Sequence, residues 1–245
     1  MLDTTEQRSP WPDSSHWSVI AATGRPQTEA GRLALETFCS TFRGSVYSYL
    51  RRDGYNPDEA QDLTQEFFLY LVGDTHPLAD YDRRKGRFRP YFLAALRHFL
   101  ANRRRHDSAV RRGGGRILLS IDHPGYDAGQ VLDPGPQPEV AFTRAWAVAL
   151  LDRVVARLRE EFARSTRKVP LDSLLTRLID GRSGSYRDLA DELGLTPGSL
   201  RVAAHRLRER FEALLREEIA RTVSTSEEID EEINAMFDAF SLTRR

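Results

Sequence analysis

The chain has 245 residues, of which 40% are hydrophobic and 29% are charged, and its formal net charge is zero. This composition is typical of a soluble globular protein, and the length favours two small domains over one large domain. Because no run of about 18 apolar residues occurs, we expect no transmembrane helix.

The cysteine content and the N-terminal residues indicate the compartment. Cys39 is the only cysteine, so no intrachain disulfide can form and a reducing environment is favoured. It stands between Phe38 and Phe42, as expected for a small core residue. Residues 1–17 are polar and contain no apolar run that could act as a signal peptide. We therefore predict a cytoplasmic protein.

The zero net charge hides an uneven distribution of charge along the chain. From Arg83 to Arg116 there are twelve basic residues and one acidic residue, Asp107. The end of the chain is the reverse, with six acidic residues from Glu227 to Asp238 and no basic residue until position 244. A basic stretch of this kind favours a nucleic-acid partner.

Apolar residues at helical spacing predict three helices in a first domain, residues 28–110, after a loose leader of residues 1–27. The first helix covers about residues 28–52 and is closed by Gly54, and the second opens at Asn56-Pro57. A polar loop with Gly86 precedes the third helix, about residues 90–105. The second helix is predicted to bury a stripe opposite an exposed polar face, the stripe being Ala60, Leu63, Phe67 and Leu71 and the face Asp58, Gln61, Asp62 and Gln65.

Residues 111–138 have the glycine- and proline-rich composition of a flexible linker, with one apolar patch at residues 117–121. Helical spacing resumes over a second domain, residues 139–223, and an acidic extension, residues 224–245, ends the chain. Neither domain shows the alternation of a strand. The predicted fold class is therefore all-α, with two small helical domains, the linker and an acidic C-terminal helix.

Residues 186–211 have the pattern of a helix-turn-helix. Gly194 supplies the left-handed residue that the turn needs, Thr196 is a good N-cap, and Pro197 suits the first helical position. The second helix is predicted to bury Leu200, Ala203, Leu207 and Phe211. Its exposed residues near the start are Ser199, Arg201, Val202, His205, Arg206 and Arg208. These side chains suit the major groove of duplex DNA, and the alternative is an antiparallel helix pair with a solvated basic face.

Aromatic residues interleave with the basic residues of the first domain, as Tyr81 and Phe88 do around Arg87. Basic grooves with aromatic platforms bind single-stranded nucleic acid, because unstacked bases need a stacking surface and phosphates need cations. Phe92 and Phe99 lie at helical spacing and are expected to be core residues rather than platforms.

Several segments share a pattern with a known protein family. Residues 46–52 and 60–68, the latter reading Ala-Gln-Asp-Leu-Thr-Gln-Glu-Phe-Phe, are one such region. Residues 86–92 and 96–102 are a second, and residues 186–211 are a third. In this order they resemble the core-polymerase-binding segment, the promoter-melting segment and the second DNA-binding domain of extracytoplasmic-function sigma factors, in the sigma-70 family of RNA polymerase sigma factors. The resemblance covers about residues 33–223.

The resemblance implies an alternative sigma factor, with core RNA polymerase (the β′ clamp helices and β flap) and promoter DNA, duplex and single-stranded, as partners. The residues implied for core-polymerase binding are Asp62, Leu63, Gln65, Glu66 and Leu69. Those implied for the minus-ten element are Arg84, Lys85, Arg87, Phe88, Arg89, Tyr91, Arg97, Asn102 and Arg103. The helix from Thr196, with its six exposed residues named above, would read the minus-thirty-five element. An anti-sigma factor or another regulatory partner stays an open question at this point.

Two features depart from the family pattern. Residues 164–185 lack the usual short connection, and the chain continues past the helix-turn-helix domain. In this extension Thr225 and Glu228 have the spacing of a capping box. Its apolar residues form a predicted helical stripe of Ile229, Ile233, Met236, Phe237 and Phe240. Two interpretations remain: a tail that docks on a basic surface of its own domain or of a partner, or a poorly ordered acidic extension.

No catalytic, cofactor-binding or metal-binding set is evident, so the chain is not predicted to be an enzyme. It lacks the nucleophile-elbow, phosphate-binding-loop and His-Glu-x-x-His motifs, and its histidines are scattered. Two alternatives stay open: a helix-turn-helix regulator that binds duplex DNA without polymerase, and a nucleic-acid-processing enzyme. The enzyme would need a carboxylate cluster that the sequence does not indicate.

Overall fold

A computed structural model of the chain describes residues 29–73, 77–82, 86–113, 137–164, 171–172, 174–175, 186–192 and 194–241. Within these ranges the chain forms seven α-helices and one 3-10 helix and no strand, which confirms the all-α prediction. The predicted leader, the apolar patch at 117–121, most of the linker and most of the departing segment 164–185 lie outside the described residues.

The backbone contacts group the chain into two compact units. The first unit comprises Met1–Ala149 together with Ile219–Arg245, and the second comprises Leu150–Glu218. These divisions fall inside helices, whereas the sequence predicted domain boundaries at the linker and near residue 223. The acidic extension thus groups with the N-terminal helices rather than with the helix-turn-helix that precedes it in the chain.

Helices α1 (Glu29–Arg52) and α2 (Pro57–Val72) are joined by a tight turn whose hydrogen bonds follow from local sequence. Gly54 has φ +98°, and the Tyr55 amide donates to the Leu50 carbonyl over 3.1 Å, which closes α1. The Asn56 side chain accepts from the Glu59 amide at 2.9 Å, and the Glu59 carboxylate accepts from the Asn56 amide at 3.1 Å. This capping box starts α2 where the sequence predicted it.

The orientation of α2 follows its apolar stripe. As predicted, its buried residues include Ala60, Leu63, Phe67 and Leu71, while its exposed residues include Asp58, Gln61, Asp62 and Gln65. A 3-10 helix, Pro77–Asp80, follows α2 and packs against it, and its residue Leu78 is completely buried. The polar face of α2 therefore stays free of the core.

Helix α3 (Phe88–Gly113) is longer than predicted. It continues eight residues past Arg105, so residues 111–113 of the predicted linker are helical. Phe92 is completely buried, with ring centroids 4.9 Å from Phe42, 5.3 Å from Phe67 and 5.7 Å from Phe142. Tilted and edge-on aromatic pairs contribute about 0.5–1.5 kcal/mol each beyond area burial. This aromatic cluster positions α3 against α1, α2 and the later helix that contains Phe142.

Helix α4 (Pro138–Ala163) has a continuous buried stripe. Its fully buried residues at helical spacing are Phe142, Trp146, Leu150, Val154 and Leu158. In the second unit, Arg210 donates to both carboxylate oxygens of Glu161, at 2.7 and 2.6 Å. These hydrogen bonds lower the pKa of Glu161. Arg157 donates to buried Glu218 at 3.0 Å, so this carboxylate too is paired.

The predicted helix-turn-helix is formed by α5 (Tyr186–Glu192) and α6 (Pro197–Ala220). Gly194 has φ +64°, the Leu195 amide donates to the Ala190 carbonyl at 2.8 Å, and the Gly194 amide donates to the Asp191 carbonyl at 3.3 Å. This is the Schellman arrangement, in which a left-handed glycine ends a helix. The predicted turn is therefore confirmed.

The buried face of α6 differs by one position from the prediction. Leu200 and Leu207 are buried as expected, but Ala204 is buried instead of Ala203, and Phe211 is only half-buried. Both alanines fit a stripe that runs from 200 to 207, at spacings of three then four or four then three. Packing within the second unit, rather than the spacing itself, selects Ala204.

Gly194→Ala is expected to lower the free energy of unfolding by about 1 kcal/mol, because a Cβ is disfavoured at positive φ. An added Cβ would meet no atom within 4 Å there, so the cost comes from the backbone alone. Gly198→Ala is the matched control: it lies inside α6 with only Thr196 Oγ1 at 4.0 Å, and it should stabilise by up to about 1 kcal/mol. Urea unfolding followed by circular dichroism would measure both, and equal effects would contradict the left-handed turn.

Candidate nucleic-acid interface

The start of α6 presents the polar face that the sequence predicted. Thr196 caps the helix, since its Oγ1 accepts from the Ser199 amide at 3.1 Å, and Pro197 is the first helical residue. All six predicted contact residues are exposed: Ser199, Arg201, Val202, His205, Arg206 and Arg208. His205 Nε2 lies 3.4 Å from the Glu209 carboxylate, which is one turn further along. The first turns of α6 thus present cationic and hydrogen-bonding groups to solvent.

The face of α2 implied in polymerase binding is partly exposed. Asp62 and Gln65 are exposed, and the Leu69 side chain is 69% exposed, so these three residues share one face at helical spacing. Leu63 is buried and belongs to the core. The Glu66 carboxylate is paired with Arg103 of α3, a residue that was predicted to bind DNA.

An open groove lies beside this face of α2. It has a volume of about 360 Å³, and its apolar lining includes Leu35, Cys39, Phe68 and Leu69. Burial raises the pKa of the Cys39 thiol to about 11, so the thiol is almost entirely protonated near neutral pH. The groove is therefore a mostly apolar surface bordered by polar residues of α2.

Two of the predicted minus-ten residues, Arg84 and Lys85, lie outside the described residues, and the others lie on α3 or just before it. The Phe88 ring is 2% exposed and packs on Phe42 at 5.3 Å, so it is part of the core rather than of a surface platform. Tyr91 is half-buried, and its hydroxyl donates to the Pro77 carbonyl. Neither ring is presented to solvent in the way that stacking on an unpaired base requires.

Further along α3, the other predicted residues are on the surface. Arg97 and Asn102 are exposed, and so is Arg103 despite its ion pair. Arg97 Nη1 lies 3.6 Å from the Glu139 carboxylate, and Asn102 lies within 3.3 Å of the His98 ring. These polar groups form an exposed strip along the helix.

Arg89 is the centre of a buried polar cluster that sequence reasoning did not predict. Its Nε and Nη2 donate to the two carboxylate oxygens of Glu232, over 2.6 and 3.2 Å, and its Nη1 donates to Thr143 Oγ1 over 3.2 Å. The guanidinium carbon lies 5.9 Å from the centre of the Trp146 ring. The Arg89 side chain is 15% exposed and that of Glu232 only 1%. The arginine is therefore held by α4 and by the acidic C-terminal helix.

That helix, α7 (Ser226–Ser241), begins with the predicted capping box. Thr225 Oγ1 accepts from the Glu228 amide at 3.3 Å, and the Glu228 carboxylate accepts from the Thr225 amide at 3.2 Å. The buried residues of α7 are Glu232, Met236 and Ala239. The predicted apolar stripe is thus wrong in part: Met236 is buried, but Phe237 and Phe240 are exposed. Ile229 and Ile233 are half-buried, so the buried face of α7 runs through Glu232, Met236 and Ala239 and not through the two phenylalanines.

The acidic helix also engages Arg87. Its Nη1 lies 3.0 Å from the Glu231 carboxylate and 3.3 Å from that of Glu232. The only sequence signal for this arrangement is the opposite charge of the two segments, which does not specify which arginine meets which carboxylate. Arg87 and Arg89, both implied in DNA binding, are therefore paired with carboxylates of α7.

The described residues contain no group of three or more His, Cys, Asp or Glu side chains that could hold a metal ion. None of the helices in the described ranges is both long and apolar enough to cross a membrane.

Arg89→Ala and Glu232→Ala are each expected to lower the free energy of unfolding by about 3–5 kcal/mol, because either change leaves a buried charge without its partner. The control is the double substitution Arg89→Met/Glu232→Leu, which removes both charges and should be nearly neutral. Thr143 keeps a partner in all three variants, since its hydroxyl donates to the Glu139 carbonyl. Urea unfolding of the full chain would test this, and single-variant losses below about 1 kcal/mol would mean that the pair behaves like a surface pair.

A comparison with protein-family models, with characterised proteins and with solved structures finds no match to this chain.

Proposed function

We propose that the chain is an alternative sigma factor, which binds core RNA polymerase and directs promoter recognition, DNA melting and transcription initiation in the cytoplasm. The observation that carries the proposal is the face formed by Asp62, Gln65 and Leu69 beside the apolar groove. These residues belong to the segment with the most specific resemblance to the family. A regulator that only bound duplex DNA would have no use for such a face.

The chemistry of this face suits a basic coiled coil such as the β′ clamp helices. Asp62 supplies a negative charge in solvent, where it can steer a basic partner, and Leu69 with the groove supplies apolar area to bury. Leu63 would support polymerase binding indirectly, because its burial fixes the orientation of α2. Glu66 would do the same through its ion pair with Arg103 of α3.

Promoter DNA would be recognised in two forms. The exposed arginines at the start of α6 can donate to guanine edges in the major groove, which supports duplex reading of the minus-thirty-five element. The strip of Arg97, Asn102 and Arg103 on α3 supplies cations and amides for the phosphates and bases of an opened minus-ten element. Unstacking a base costs a few kcal/mol, which contacts to the extruded base can offset.

The second candidate is a helix-turn-helix regulator that acts without polymerase. It is favoured by the pairing of Arg87 and Arg89 with Glu231 and Glu232, which leaves fewer cations for single-stranded DNA. If this alternative is correct, the isolated protein binds duplex DNA specifically, and substitution of Asp62 does not change its DNA-binding activity.

Run-off transcription with core polymerase on a promoter library separates the two candidates. Asp62→Lys is expected to abolish transcription and co-purification with core polymerase, because it reverses the charge that would face a basic partner. Duplex binding by α6 should be unchanged. Glu160→Lys is the matched control, an equal change of charge at an exposed position of α4, and it should retain activity.

The sigma-factor proposal is lost if the wild-type chain starts no transcript from any promoter and copurifies with no polymerase subunit. Equal transcription activity of the wild type, Asp62→Lys and Glu160→Lys would instead show that the polar face of α2 does not contact the polymerase.

Arg201→Ala is expected to weaken specific duplex binding by about 1–3 kcal/mol and to relax sequence preference, because it would remove a base-edge contact. The control is Arg216→Ala on the same helix. Arg216 is paired with Glu212 and lies fifteen residues further along, at a rise of about 1.5 Å per residue, so it is far from the proposed base contacts. Fluorescence anisotropy with promoter duplexes and scrambled duplexes would measure both. A loss that is equal for the two duplexes would mean a phosphate contact instead of base reading.

A further inference from the structure

The two arginines that precede and begin α3 are engaged by groups that resemble phosphate in their chemistry. Arg89 forms a two-point contact with the Glu232 carboxylate, and Arg87 lies 3.0 Å from Glu231 and 3.3 Å from Glu232. A phosphate of a nucleic acid would use the same guanidinium donors in the same forked geometry. A DNA strand and α7 therefore cannot occupy these donors at the same time.

The attachment of α7 depends largely on charge. Its buried residues are Glu232, Met236 and Ala239; Ile229 and Ile233 are only half-buried, and Phe237 is 65% exposed. A second polar contact is made by Arg144, whose Nη2 donates to the Ala239 carbonyl over 2.6 Å. Since few apolar groups are buried, salt and polyanions should weaken this attachment more than they weaken a hydrophobic one.

The chain before α7 allows that helix to leave by itself. Val223 is buried, and the Phe88 amide donates to the Thr222 carbonyl over 3.1 Å, so the connection from α6 is anchored on the first unit. The capping box of Thr225 and Glu228 lies within α7 and its own start, so the helix keeps its N-terminal cap when it is detached. Movement would be confined to the turn between Val223 and Thr225.

We propose that α7 is an intramolecular competitor of DNA, which covers Arg87 and Arg89 in the free protein and is displaced when nucleic-acid phosphates take its place. The proposal rests on the proposed function, because it assigns these arginines to DNA. Its effect is to lower the affinity of the free protein for single-stranded DNA. A strand already opened at a promoter, held by the other contacts, would supply the competing phosphates at high local concentration.

The test uses the full chain and compares two double variants with the same change in charge. Glu231→Gln/Glu232→Gln removes the carboxylates that pair with Arg87 and Arg89. Glu227→Gln/Asp238→Asn neutralises two carboxylates of the same helix that pair with no arginine among the described residues. Binding of a fluorescein-labelled oligothymidylate is measured by anisotropy over a series of salt concentrations.

The variant without the pairing carboxylates should bind the oligothymidylate roughly tenfold more tightly than the control near 0.1 M salt, with a salt dependence steeper by about 1.4, as expected for two added phosphate contacts on a single strand. Equal affinities and slopes for the two variants would overturn the proposal. Because the first variant leaves Arg89 with a weaker partner and could lose structure, the wild-type chain supplies a second measurement. Hydrogen exchange at the amides of α7 should accelerate when the oligothymidylate is bound.

Unchanged or slower exchange of α7 on binding would overturn the proposal and identify the helix as a fixed support of α3. Absence of binding by every variant would overturn it as well, because the uncovered arginines would then have no affinity for phosphates. Run-off transcription judges the sigma-factor proposal separately. If the charge effect is found but no transcript is started, competition by α7 stands and the sigma-factor proposal fails.

Discussion

The first unit depends on the ion pair between Arg89 and Glu232, which brings three helices together. Arg89 lies in the first turn of α3, Thr143 and Trp146 belong to α4, and Glu232 belongs to α7. A carboxylate that is almost completely buried costs several kcal/mol unless its charge is matched, so the three helices have to keep these side chains in register. In the free protein the acidic C-terminal helix is for this reason packed with the N-terminal helices of the unit.

The same pair decides which cations are available for a partner. Arg87 and Arg89 are held by carboxylates of α7, whereas Arg201 and Arg206 on α6 are exposed and form no ion pair with any residue that the structure describes. The side chains of Arg201 and Arg206 can therefore meet an anion without breaking an ion pair to any residue that the structure describes. At the start of α3 any further anion would have to displace these carboxylates, and such an exchange depends on ionic strength.

Local sequence signals predicted the secondary structure where the responsible interactions are themselves local. The capping box at Asn56, the left-handed glycine at position 194 and the cap at Thr196 each involve residues within five positions of one another. The buried stripe of α2 and the exposed start of α6 were also predicted, because helical periodicity alone separates the two faces of a helix. The end of α3 was not predicted correctly. The residues after Arg105 are compatible with a helix, and no stop signal occurs before the glycines at 113–115.

By itself, the sequence determined the all-α class, the positions of most helix starts and the exposed face at the start of α6, because these follow from neighbouring residues. Where two residues fit the helical spacing equally well, only the tertiary structure decided which one is buried, as with Ala204 instead of Ala203. It likewise placed Phe88 in the core and joined Arg89 to Glu232, which is 143 positions away. Opposite charges predict that two segments attract one another, but the pairing of individual side chains depends on packing around them, and packing is not a local property of the chain.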